Sequence, residues 1–282
     1  MKMKTLFVSD LDGTLLRNDA TISEYSKNKL NEFISSGVLF TVATARSVAS
    51  ITKMLEGVDI ELPVIEFNGG FISDLKTGEH LLVNEVNTEI TKGLLMKIYK
   101  SKHIPFISCY DGVKDNLYYN ELINEGMSWY YEDRIKNNDR RLNKTNNFME
   151  VLNEKVICFT IIGKKESLML LYEIVNKDHG EFIETHLIEN QYSKKWFWLT
   201  IHSKKASKDY AILKLKEMIN EDIEKLVVFG DNLNDVKMFN IADESIAVMN
   251  GIEELKKIAT KVIKSNEDDG VVKYIDQQLM EK

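Results

Sequence analysis

Leu6-Phe7-Val8-Ser9-Asp10-Leu11-Asp12-Gly13-Thr14 is the stretch on which the fold turns. Leu6, Phe7 and Val8 form a short apolar run, the pattern of a strand buried on both faces of a parallel sheet. The run stops at two carboxylates two residues apart, and Gly13 then lets the backbone turn sharply. Strand side chains alternate, so Asp10 and Asp12 start out toward one side. Paired acids at a strand's carboxyl end repel unless a cation, a hydrogen-bond network or a proton offsets them. Such pairs bind metals, or divide the work between a nucleophile and an acid. The plainer reading is a strand followed by an Asp-Gly turn.

The flanking sequence repeats this grammar. Ser23 is placed to cap a helix from Glu24 to Ser36, with Leu30, Phe33 and Ile34 inward and Gly37 as its stop. Val38 to Ala43 reads as a second buried strand ending in Thr44-Ala45-Arg46-Ser47, and a helix follows through Met54 and Leu55. Pro63 to Phe67 reads as a third strand, ending in Asn68-Gly69-Gly70. Strands alternating with helices predict right-handed crossovers and a parallel sheet, with ligands at the strands' carboxyl ends.

From about residue 84 to 190 the pattern changes to a separate α+β insertion. It comprises a helix over 88–102, a hairpin from Pro105–Tyr110 and Leu117–Tyr119, and a polar, partly helical stretch to Asn147. A strand over Val156–Ile162, a helix over Glu166–Asn176 and a strand over Phe182–Ile188 complete it. The parallel grammar is expected to return at Trp196-Phe197-Trp198-Leu199-Thr200-Ile201. Ser207 then caps a helix from Lys208 to Asn220, and Leu226 to Phe229 forms a strand stopping at Gly230-Asp231-Asn232-Leu233-Asn234-Asp235. Ser245 to Met249 is a further strand, and a closing helix follows Asp269-Gly270. The domains so predicted are a catalytic core over 1–83 and 191–282 and an inserted domain over 84–190.

The chain has 282 residues, 44% hydrophobic and 29% charged, enough for two domains with sizeable cores. A formal net charge of -7 argues against nucleic-acid binding, which needs a basic surface. No apolar run approaches a membrane span of ~20 residues. The opening residues Met1-Lys2-Met3-Lys4 run straight into the first strand, so neither a signal peptide nor a membrane anchor is expected. Cys109 and Cys158 lack CxxC spacing and read as reduced core thiols of a cytoplasmic protein, expected to be a monomer or weak homo-oligomer.

Polar groups thus gather at strand ends and helix starts: Asp10 with Asp12, Thr44, Lys208, and Asp231 with Asn234 and Asp235. If their strands are neighbours, they share one crevice. Three carboxylates suit a hard divalent cation, Mg²⁺ (magnesium) above all. A hydroxyl, an ammonium at a helix N-terminus and a carboxamide suit phosphoryl oxygens. Each group also has a local explanation. Thr44 fits a strand end, Lys208 a solvated first helical turn, and Asn232 with Asp235 a capping box. Their joint occurrence, in order and at matching points of the sheet, favours the functional reading.

Taken together, Asp10-Leu11-Asp12-Gly13-Thr14, Thr44-Ala45-Arg46-Ser47, Ala206-Ser207-Lys208 and Gly230-Asp231-Asn232-Leu233-Asn234-Asp235 resemble the four motifs of the haloacid dehalogenase-like superfamily. Within it, the chain is similar to the Cof-type sugar-phosphate phosphatases, whose pattern Asn68-Gly69-Gly70 and Ser265 to Val271 also follow. Ala45 stands where the family usually has Gly, Gly70 where Ala is common, and Thr200-Ile201 where Glu-Ile often precedes the lysine motif. The resemblance implies an α/β, Rossmann-like parallel-sheet core carrying an inserted α+β cap domain. It implies Asp10 as nucleophile and Asp12 as acid, then base. Mg²⁺ would sit on Asp10, the Asp12 backbone carbonyl and Asp231, with Asp235 in the outer shell. Leu11, Thr44, Ala45, Lys208 and Asn234 would bind the phosphoryl group of a small phosphorylated metabolite. Arg46 and the cap aromatics Trp129, Tyr130 and Tyr131 are candidates for substrate contact. A phosphomutase, or a sensor of a phosphorylated ligand, are the alternatives on the same scaffold.

Overall fold

The computed structural model describes residues 4–190, 193–219 and 221–280, and the chain divides into two compact units, Met1–Val83 with Ser207–Lys282, and Asn84–Ala206. The first unit is built on a five-stranded sheet in the order Lys261–Ile263, Glu244–Val248, Lys225–Gly230, Thr5–Ser9, Leu39–Val42. Every pairing in it is parallel. Thr5–Ser9 lies between two partners, in register with Lys225–Phe229 on one side and Leu39–Val42 on the other. Its alternate side chains serve two cores. Phe7 joins Phe229, Phe40 and Val42 under the helices Glu24–Ser35 and Gly270–Met280. Leu6 and Val8 join Leu226 and Val228 against Ala211, Ile212 and Leu215 of the helix Lys208–Met218.

A three-stranded antiparallel sheet, Val64–Glu66, Phe71–Ser73 and His80–Val83, belongs to the same unit and meets the five-stranded sheet through a parallel bridge between Ala43 and Ile65. Ser23 caps the first helix as expected, its hydroxyl accepting the Ser26 N–H at 2.9 Å. Ser207 does not: it occupies the N-cap position of Lys208–Met218 with no side-chain cap bond. The expected end of that helix, Asn220, lies outside the described residues.

The second unit carries a six-stranded sheet in the order Ile183–Glu189, Phe197–Ser203, Lys155–Gly163, Phe106–Tyr110, Asp115–Tyr119, Leu142–Lys144. Helices Thr88–Lys100 and Lys165–His179 cover one face, packing Leu94, Ile98, Leu168 and Leu171 on Ile107, Phe159, Ile161 and Leu199. Here one expectation is corrected. The Trp196–Ile201 run does not return to the parallel sheet. The strand Phe197–Ser203 pairs antiparallel with Ile183–Glu189 and with Lys155–Gly163, so the second unit extends to Ala206 rather than ending near residue 190. Of the three aromatics on the helix Glu125–Lys136, Tyr130 is core, wedged edge-on between Phe106 and Trp198. Trp129 and Tyr131 rest against Trp198 and Tyr119.

Cys109 and Cys158 are buried and unbridged, and burial pushes the Cys158 thiol up to about 12. Among the described residues, no helix is long and apolar enough to cross a membrane.

Candidate active site

The carboxyl end of Thr5–Ser9 runs directly into Asp10, whose N–H continues the ladder by donating to Phe229 O at 3.0 Å. Asp10 is buried, and its Oδ1 accepts from Lys208 Nζ at 2.5 Å. The same ammonium reaches Asp235 Oδ1 at 2.7 Å. Lys208 is the first residue of its helix, so backbone geometry aims its side chain at the strand ends. Asp235 has two tasks. Its Oδ2 accepts the N–H groups of Asp231 and Asn232, at 2.9 and 3.0 Å, closing a capping box with Asn232. The local reading of that residue as half of a capping box therefore holds, and its other oxygen faces Lys208.

Asp231 is fixed from the other side, Thr14 Oγ1 donating to its Oδ1 at 2.9 Å. Gly13 makes this approach possible. Its φ is 77°, and a Cβ there would stand 2.6 Å from Asp231 Oδ2. Asp10, Asp231 and Asp235 each offer an oxygen within 4.8 Å of the others. Burial, with Asp235 beside it, pushes the Asp231 carboxyl up to about 7. Burial also raises Asp10 well above the usual carboxylate range, with Lys208 only partly opposing it. Burial works against the Lys208 charge, but Asp10 and Asp235 outweigh it and raise that pKa. The cluster offers three buried carboxylates against one ammonium, an oxygen donor set whose chemistry fits a hard divalent cation.

Asp12 takes a separate position. Its carboxylate, partly exposed, is clasped by Arg46 through Nε to Oδ2 at 2.8 Å and Nη2 to Oδ1 at 2.6 Å. The two acids are thus set in different surroundings despite their spacing. Thr44, buried at the end of Leu39–Val42, is held by its N–H to Ile65 O at 2.9 Å and its carbonyl to Asn68 N–H at 2.8 Å. Its hydroxyl accepts the Arg46 N–H at 3.2 Å, and Ala45 between them is exposed. Leu11 is buried in the turn after Asp10. Asn234 donates to Asn68 Oδ1 at 3.2 Å.

Sequence reasoning assigned no role to Thr14, although it stood in the quoted motif. It also missed Asn250, which donates to Gly13 O at 2.7 Å, and Asn68 as the partner of Asn234. Nothing in the local sequence signals the Asn250 contact.

The model of the haloacid dehalogenase-like hydrolases matches residues 7–275, and the chain belongs to that family. It is 25% identical over 279 residues to the 5-amino-6-(5-phospho-D-ribitylamino)uracil phosphatase YitU of Bacillus subtilis, covering 96% of each chain. It is 26% identical over 298 residues to YwtE of the same organism, named for the same activity, again covering 96% of each. Among solved structures, TM0651 from Thermotoga maritima matches with a TM-score of 0.77 and 27% identity, over 98% of this chain and 97% of that one. The protein is a haloacid dehalogenase-like phosphatase, a phosphoric monoester hydrolase.

Proposed function

We propose that the protein is a Mg²⁺-dependent phosphatase of small phosphorylated metabolites, with sugar and sugar-alcohol monophosphates as its substrate class, acting through an aspartyl-phosphate. The observation that carries this reading is the buried Asp10 carboxylate at a strand end, 2.5 Å from Lys208 and within a cluster of three acids. Relatives named for a phosphoribitylamino-uracil substrate support the polyol phosphate class. Asn84–Ala206 is the cap domain in this reading.

Asp10 forms a bond to phosphorus as the ester P–O bond breaks, and the departing alcohol takes its proton from Asp12. Water then attacks the same phosphorus, giving its proton to Asp12, and inorganic phosphate and the free Asp10 carboxylate are regenerated. Lys208 neutralises charge on Asp10, while Thr44, the Leu11 and Ala45 amides and Asn234 hold the phosphoryl oxygens. Asp10, the Asp12 carbonyl and Asp231 would hold Mg²⁺, with Asp235 behind them. When bound, the cation supplies charge neutralisation and orientation for the phosphoryl group.

The test is hydrolysis of p-nitrophenyl phosphate and of a panel of sugar and sugar-alcohol phosphates, with Mg²⁺ and with EDTA. Turnover that needs the cation and releases free phosphate is expected. Robust turnover in EDTA would contradict the metal assignment. Conversion of a hexose 1-phosphate to its 6-phosphate without free phosphate would identify a mutase instead. Saturable ligand binding with no hydrolysis of any compound would identify a sensor.

A further inference from the structure

Glu66 ends the strand Val64–Glu66 fully buried, and no step above uses its carboxylate. Both of its oxygens are nonetheless engaged. Oε2 accepts the Val48 N–H at 2.5 Å, and Oε1 accepts the Ser73 hydroxyl at 2.5 Å. His80 Nδ1 lies 2.7 Å from Ser73 Oγ and 3.4 Å from Glu66 Oε1. The His80 ring is itself fixed, stacked on Phe71 with centroids 3.9 Å apart and planes 5° from parallel. The hydroxyl has one proton to give. Ser73 gives it to Glu66 Oε1, so Nδ1–H of His80 donates to Ser73 Oγ.

Val48 opens the helix Val48–Met54, immediately after Thr44-Ala45-Arg46-Ser47. Ser47 stands at the N-cap position but makes no side-chain cap bond. Glu66 supplies that acceptor from a different strand. The residues after Glu66 hold the other end of the loop: Phe67 N–H donates to Arg46 O at 3.1 Å and Asn68 N–H to Thr44 O at 2.8 Å. Phe67 and Asn68 both sit at positive φ, 49° and 54°, a conformation that costs energy and points their N–H groups at the loop. Beyond them, Gly69 passes so close to Ser207 that a Cβ would stand 2.6 Å from its carbonyl oxygen, next to Lys208. A carboxylate buried at a strand end is costly unless its oxygens are hydrogen-bonded, and here they are, to Val48 N–H and to Ser73.

We infer that Glu66 is a positioning residue for the phosphate-facing loop Thr44–Ser47, its carboxylate oriented by Ser73 and His80. The inference rests on the phosphatase reading, because Thr44 and the Ala45 amide are the groups it would place. Misplacing them by a fraction of an ångström weakens phosphoryl binding without touching Asp10, Asp12 or the metal-binding acids.

Glu66→Ala and Glu66→Gln are compared with the unaltered protein by steady-state kinetics on p-nitrophenyl phosphate, inhibition by inorganic phosphate, and amide hydrogen exchange across residues 44–54. Glu66→Ala should lower kcat/KM by roughly 10–100-fold, mainly through KM and weaker phosphate inhibition, with an unchanged Mg²⁺ activation constant. Exchange across 44–54 should quicken. Glu66→Gln keeps an oxygen for the Val48 N–H and should recover most of the loss. A folded Glu66→Ala protein with unaltered kinetics and exchange overturns the inference, as does Glu66→Gln being equally impaired. If Glu66→Ala does not fold, Ser73→Ala carries the test: a smaller loss in the same direction supports the inference, and an unchanged KM overturns it. If the unaltered protein hydrolyses no phosphate ester, the phosphatase reading falls separately, and exchange across 44–54 still decides whether Glu66 holds the loop.

Discussion

Asp10 and Asp12 differ in what surrounds them, and in the proposed mechanism that difference divides their chemistry. Asp10 is buried against Lys208, while Asp12 is partly exposed and clasped by Arg46. In that mechanism Asp12 gives a proton to the departing alcohol and later takes one from water, and the two bonds from Arg46 fix the carboxyl through both transfers. Asp10→Asn should abolish both turnover and phosphoenzyme, with the fold kept because the change is nearly isosteric. Asp12→Asn should still permit attack on substrates with good leaving groups but slow breakdown of the intermediate by roughly 10²–10⁴-fold. Phosphoenzyme should therefore accumulate in the Asp12 variant and be absent in the Asp10 variant, read by trapping labelled protein after circular dichroism and metal titration have shown both intact. A turnover-competent phosphoenzyme in Asp10→Asn would make another residue the nucleophile.

Among elements, the legible ones were those whose purpose is written locally. A strand buried on both faces shows as an unbroken apolar run, and the polar residues at its end mark the ligand side, as at Val8 to Asp10 and Phe229 to Asp231. The same signal misled at Phe197–Ser203. Its apolar run is equally suited to a parallel or an antiparallel sheet, and its partners Ile183–Glu189 and Lys155–Gly163 are chosen by non-local pairing that periodicity does not record. The clustering of Asp10, Asp231 and Asp235 was readable because each lies in a short motif just past a buried strand, whereas the Glu66 bond to Val48 and the Asn250 bond to Gly13 join residues far apart in sequence. The turn at Gly13 yields a prediction of its own. Gly13→Ala forces an L side chain to φ 77° and sets a methyl against Asp231. The backbone alone should cost about 1–2 kcal/mol in a denaturant melt. Displacing Asp231 should also raise the Mg²⁺ concentration needed for half-maximal activity, and an unchanged Mg²⁺ requirement would mean that Asp231 lies outside the metal site.

For the molecule as a whole, three buried acids around one lysine tie stability to both pH and metal. Burial raises Asp10, and raises Asp231 to about 7. A carboxyl with a raised folded-state pKa binds its proton more tightly folded than unfolded. Its contribution is fully present below the ordinary carboxylate range and is lost as pH climbs through about 7. The metal-free protein should therefore lose part of its stability between acid and neutral pH. A divalent cation that takes the place of these protons binds only the folded chain, so it stabilises by mass action, and more strongly once the acids are ionised. Thermal melts in EDTA and in excess Mg²⁺ at about pH 5.5 and about pH 8.5 read this directly, the Mg²⁺ increment in Tm being larger at the higher pH. Asp231→Asn removes one titrating group and one candidate ligand together. It should flatten the acid-to-neutral decline in EDTA and shrink the Mg²⁺ increment at the higher pH. An increment equal at both pH values, or one matched by monovalent salt at the same ionic strength, would show that the cation screens surface charge rather than entering the buried cluster.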